Sequence, residues 1–107
     1  MKTIINKLDK LVQTWANRHK SEISGQMGCV AHHIVGRANH YLRFDKDNLF
    51  ICTTEEHNLI HAGILKIDAY VSPKRMGILR EKRIESLSWK PNDDFYEKML
   101  NFWEKRC

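Results

Sequence analysis

Only two stretches of this chain read as β-strand, and both are short: 29–34 (Cys-Val-Ala-His-His-Ile) and 48–52 (Asn-Leu-Phe-Ile-Cys). They are apolar and partly β-branched, but a sheet built from them alone cannot carry a core. Most apolar burial must therefore come from helices. Ile4, Ile5, Leu8, Leu11, Val12 and Trp15 recur at helical spacing, which predicts an amphipathic helix over about 4–19 with Thr3 as its cap and His19 at its end. Its polar residues, Lys7, Lys10, Arg18 and the following Lys20, can meet solvent or phosphate.

The segment 21–28 is polar with two glycines and reads as a loop. The segment 36–47 is basic and irregular, with Leu42 and Phe44 expected to tuck inward. Residues 53–56 (Thr-Thr-Glu-Glu) fit a capping box, so a helix starts there and runs through His57 and His61 to about Gly63. Ser72 followed by Pro73 opens a further helix, to which Met76, Ile78, Leu79 and Ile84 give apolar surface. Residues 91–94 start a last helix carrying Phe95, Met99, Leu100, Phe102 and Trp103. The expectation is an α+β, mainly helical single domain over 1–107. It comprises an N-terminal helix (1–20), a strand–loop–strand–helix unit (28–63) and C-terminal helices (72–107).

Composition narrows the class. With 107 residues, 42% hydrophobic, 29% charged and only two prolines, the chain is neither disordered nor fibrous. No apolar run approaches the roughly 18–20 residues that span a bilayer. The first ten residues carry charges within a helical pattern, unlike a signal peptide. A cytoplasmic protein without membrane contact is expected. Cys29, Cys52 and Cys107 form no C-x-x-C pair, and an odd count argues against a disulfide framework. The net charge of +5 is compatible with a nucleic-acid partner.

Five of the six histidines (His32, His33, His40, His57 and His61) lie between positions 32 and 61. His57 and His61 stand four residues apart, which on a helix puts both imidazoles on one face, able to share a metal ion. The segment reads His-Asn-Leu-Ile-His, with Asn58 where a zincin protease would need its general-base glutamate. A carboxamide cannot take that proton, so the pattern argues against protease chemistry. The neighbours His32 and His33 point to opposite faces of a strand. They suit two tasks, one ring on a metal and the other facing substrate as proton acceptor. Asn48, at the start of the second strand, can bond backbone across the long loop and hold its shape.

Together these residues resemble the HNH endonucleases, whose site is a ββα-metal (His-Me) finger. The likeness covers about 28–63. It rests on Cys29, His32-His33-Ile34, Arg37, Arg43-Phe44-Asp45, Asn48-Leu49, Cys52, His57 and His61. The intervals of 15 from His33 to Asn48, 9 to His57 and 4 to His61 are similar to those of colicin-type nucleases. The stretch from Gly36-Arg37 to Asn48 looks closer to phage recombination nucleases of the NinG/Rap type.

The resemblance implies catalysis by His33 as general base, with Asn48 orienting loop and base. It implies His32, His57 and His61 as ligands of one divalent metal ion (Zn, Mn, Ni, Co or Mg). Imidazole donors favour the transition metals. DNA is the implied substrate and partner, in phage or prophage recombination or DNA processing. A homodimer would serve a nuclease whose single site cuts one strand. Arg37 and Arg43 are the candidates for phosphate contacts, the alternative being an ion pair with Asp45 or Asp47. His40 reads as a further ligand, a phosphate donor or a solvated loop histidine, and Tyr41 as a base-stacking or packing residue. Many relatives carry two C-x-x-C knuckles. This chain keeps only Cys29 and Cys52 near those places, so no structural zinc is expected and both read as buried packing residues. The rival readings are a non-catalytic DNA-binding module and a structural zinc domain for protein contacts.

Overall fold

The structure, a computed structural model, describes residues 2–107. It is an α+β fold of four helices and one antiparallel strand pair: α1 (Lys2–Asn17), β1 (Val30–His33), β2 (Leu49–Cys52), α2 (Thr54–His61), α3 (Pro73–Ser86) and α4 (Asp93–Glu104). Short 3-10 turns occupy Lys46–Asn48 and Ile67–Ala69. Among the described residues, no helix is long and apolar enough to cross a membrane.

The strands pair with Val30 opposite Cys52, Ala31 opposite Ile51, His32 opposite Phe50 and His33 opposite Leu49. Every residue of β2 is buried. Strand alternation explains how four apolar residues in a row are used. Leu49 and Ile51 join Leu8, Val12, Trp15 and Ala16 of α1 and Tyr96 and Trp103 of α4 in one core cluster. Phe50 and Cys52 face the other way, into a smaller cluster with Val71, Ile60 and Ile67. Trp15 and Trp103 meet edge to face at 5.1 Å, and the buried Trp103 indole N–H donates to the Phe44 carbonyl at 2.9 Å. Leu42 and Phe44 are buried as expected, which ties the long loop to this core.

The helix starts follow their local chemistry. Thr53 Oγ1 accepts from the Glu56 N–H while Glu56 Oε1 accepts from the Thr53 N–H, completing the capping box of α2. Ser21 Oγ adds a 2.6 Å bond to the same carboxylate oxygen. Burial would raise the Glu56 pKa, but these donors outweigh it and hold the carboxyl below its usual range. α2 ends early, at His61. Gly63 follows in the left-handed region (φ +75°), which turns the chain away. Ser72 caps α3 with Pro73 in its first turn, and Asn92 caps α4.

Three expectations are corrected. Thr3 lies inside α1, which already runs from Lys2, so it is not the cap. Asn48 closes a 3-10 turn before β2 and does not open the strand, because Asp45 caps that turn through the Asp47 N–H. The inward face of α3 is polar. Only Leu79 is buried, while Ile84 is 64% exposed. Arg75 donates to the carbonyls of Asp47 (2.7 Å) and Leu49 (2.8 Å), and Lys82 pairs with Asp45 (2.8 Å) and Asp47 (3.2 Å). The loop 21–28 also works harder than its polarity suggests. Glu22 bonds the Ile51 carbonyl through its own N–H, takes the Ile51 N–H on its carboxylate and pairs with Arg75 at 2.7 Å.

Cys29 and Cys52 are buried and unpaired. Burial pushes both thiols up, that of Cys52 to about 12, which makes them inert packing groups.

Candidate functional site

Alternation along β1 sends His32 toward α2 and His33 toward α1. On α2 the four-residue spacing brings His57 and His61 together edge to face, with their Nε2 atoms 3.0 Å apart. The His32 ring stands 5.3 Å from each of theirs, centroid to centroid. One nitrogen from each of the three lies within 4.8 Å of the others, so the cluster can hold a metal ion. Metal–imidazole bonds of about 2.0–2.1 Å place two donors about 2.9 Å apart at a right angle and about 3.3 Å apart at a tetrahedral one. The observed 3.0 Å falls between these.

Two further observations fit a cation. His32 Nδ1 is, among the described residues, the one buried side-chain nitrogen or oxygen lacking a hydrogen-bond partner. Burial and the neighbouring imidazoles push the His32 pKa down to about 4, and burial with His61 beside it lowers that of His57. Both rings are therefore neutral near pH 7, the form that ligates.

His33 is held separately. Its Nε2 lies 3.0 Å from the Arg43 carbonyl oxygen. A carbonyl only accepts, so Nε2 carries the hydrogen and Nδ1 keeps its lone pair. Burial lowers the His33 pKa and so favours the neutral ring, an effect that the bond to Arg43 partly opposes. His33 lines a cleft of about 540 Å³ together with His32, His57, His61, Arg37 and Asp9.

Asn48 is fully buried, and its amide is fully occupied. Nδ2 donates to the carbonyls of Val35 and Leu42, both at 3.0 Å, and Oδ1 accepts from the Val35 N–H at 2.6 Å. It shapes the loop between the strands, as its chemistry predicts. No atom of it is left for substrate, so its part in any reaction is positional.

The basic residues divide. Arg43 is 13% exposed and pairs with Asp9 of α1 at 2.7 Å. The expected alternatives, Asp45 and Asp47, are taken by Lys82. Arg37, 61% exposed, lines the cleft and touches the same Asp9 at 3.3 Å. His40 is not among the cleft-lining residues. Its Nδ1 lies 3.4 Å from the Tyr96 hydroxyl of α4. Tyr41 packs against Trp89 and Phe95 and donates to Glu85. Lys7 pairs with Glu104.

Sequence reasoning missed Asp9 and Gln13, both on the cleft wall, the latter donating to the Cys29 carbonyl at 3.3 Å. Their only signal was their place on the polar side of α1. Scans against family models, curated proteins and solved structures each return no match to this chain.

Proposed function

We propose that this chain is a metal-dependent endonuclease of the HNH kind, in which β1, the long loop, β2 and α2 make a ββα-metal finger. The observation that carries the reading is the meeting, in one cleft, of a three-imidazole cluster with a fourth imidazole held apart from it. The bond to the Arg43 carbonyl reserves the Nδ1 lone pair of that fourth ring. A purely structural metal site has no use for such a ring.

Hydrolysis of a phosphodiester forms a bond from water oxygen to phosphorus and breaks the bond to the departing sugar oxygen. His33 Nδ1 takes the proton that the water gives up. The Arg43 carbonyl keeps hold of Nε2–H, so the ring is aimed before and after the transfer. Arg37 has donors to spare for a non-bridging phosphate oxygen. A divalent ion on His32, His57 and His61 would supply Lewis-acid stabilisation of the charge that grows on the phosphate. The donor set suits Zn, Ni, Mn or Co better than Mg. DNA is the substrate in this reading, and the net charge of +5 supports a polyanionic partner.

The test is nicking of supercoiled plasmid with each metal in turn, with chelator, and with His33→Ala. The expected result is metal-dependent nicking, abolished by chelator and reduced by about 10² to 10⁴ in His33→Ala, with DNA binding retained. Undiminished nicking by His33→Ala overturns the assignment. Binding without cleavage under every metal would make the chain a non-catalytic DNA-binding module instead.

A further inference from the structure

Asp9 is the one carboxylate among the described residues that line the cleft, and no part of the hydrolysis above uses it. It meets Arg43 through both oxygens, Nε to Oδ1 at 3.3 Å and Nη2 to Oδ2 at 2.7 Å. It meets Arg37 through one, at 3.3 Å. Arg43 is the half-buried guanidinium and Arg37 the exposed one. A forked ion pair fixes a guanidinium plane, and through it the backbone from which that side chain springs. The backbone in question carries the carbonyl that receives His33 Nε2–H. Asn48 grips the loop at Val35 and Leu42. The Trp103 indole holds the Phe44 carbonyl, and from β1 and β2 only His33 itself reaches residue 43, so among the described residues the one anchor on the Arg43 side chain comes from α1.

We propose that Asp9 is a positioning residue: by clamping Arg43 it fixes the carbonyl that selects the His33 tautomer, and it holds Arg37 at the exposed side of the cleft until a phosphate takes that guanidinium over. The exchange strands no charge, because Arg43 keeps the carboxylate paired after Arg37 leaves. The kinetic part rests on the nuclease reading. The orientation of His33 does not.

The experiment uses the full chain loaded with Zn²⁺ and labelled with ¹⁵N-histidine, comparing Asp9→Asn and Asp9→Ala with the parent. The parent should show one His33 tautomer, hydrogen on Nε2. Both variants should show averaged ring shifts, unchanged Zn²⁺ affinity, and a plasmid-nicking kcat lower by about 10-fold or more with KM unchanged or lower. Asp9→Glu should restore part of the tautomer signal. A single tautomer in both variants, with kcat within about twofold of the parent, overturns the proposal. Loss of Zn²⁺ binding along with the tautomer also overturns it, since Asp9 would then be holding the fold and not the ring. If the parent cuts nothing while the tautomer still collapses in Asp9→Asn, the nuclease reading falls and the clamp stands.

Discussion

The side of the molecule facing α3 and the side facing α2 are both rich in polar groups, but they spend them differently. Toward α3, Arg75 reaches two backbone carbonyls and Glu22, and Lys82 answers Asp45 and Asp47. Each of these cations has a partner within 3.2 Å. Toward α2, His32 Nδ1 is buried with no partner, and the His57 and His61 Nε2 atoms meet only each other, at 3.0 Å. An orphaned buried polar atom is costly. A fold that satisfies one flank and leaves such an atom on the other has a use for that atom beyond its own stability. The first flank is scaffold, and the second is where a ligand is expected.

The strongest way to separate the two flanks is to remove a ligand. His57→Ala or His61→Ala should lower Zn²⁺ affinity by more than about 100-fold, beyond what the loss of an outer-shell partner costs, as read by calorimetric titration. Neither change should weaken the apo fold, because α2 has no fully buried residue to disturb. If either variant binds Zn²⁺ like the parent, the imidazole cluster is not the site and the contrast collapses.

Next in size is Asn48→Ala. It leaves the part-buried N–H and carbonyl of Val35 without partners, while the Leu42 carbonyl keeps only the Asp45 N–H. At about 1 kcal/mol or more for each orphaned group, denaturant unfolding should show a loss of about 2 kcal/mol or more. Nicking should fall along with the ordered loop. A loss below about 1 kcal/mol would mean that water replaces the amide and that the loop is not stapled here.

These residues also mark how far sequence reaches. The unit 28–63 was legible because its signals are local. Thr53 and Glu56 are three residues apart, His57 and His61 four, and neighbours on a strand must diverge. The inward Leu42 and Phe44 followed from their apolar character within a basic loop. The clamp between Asp9 and Arg43 spans 34 residues and joins two elements whose mutual orientation no local pattern encodes. Arg75 was invisible for a different reason. Two of its three partner residues contribute backbone carbonyls, which every residue has. The exposed Ile84 misled because an apolar residue at helical spacing normally marks the inward face, and here that face is polar.

The smallest effect belongs to Lys82, and its pH dependence shows whether the α3 flank is electrostatically settled. Burial acts to lower the Lys82 pKa, but the hydrogen bonds and charges of Asp45 and Asp47 raise it above the usual lysine value. A cation with a raised native pKa adds stability that is fully present below its unfolded value, near 10.5. That increment is lost only as pH rises through the native value. Lys82→Met keeps the aliphatic stem and removes the charge. It should cost about 1 kcal/mol at neutral pH, the upper range for a partly exposed pair. The cost should be the same at pH 6 and pH 8, and the stability curves of parent and variant should converge only above the raised lysine pKa. Chemical denaturation across that range checks it. A difference that changes between pH 6 and pH 8 would place a second titrating group in this network and undo the assignment of the α3 flank as inert scaffold.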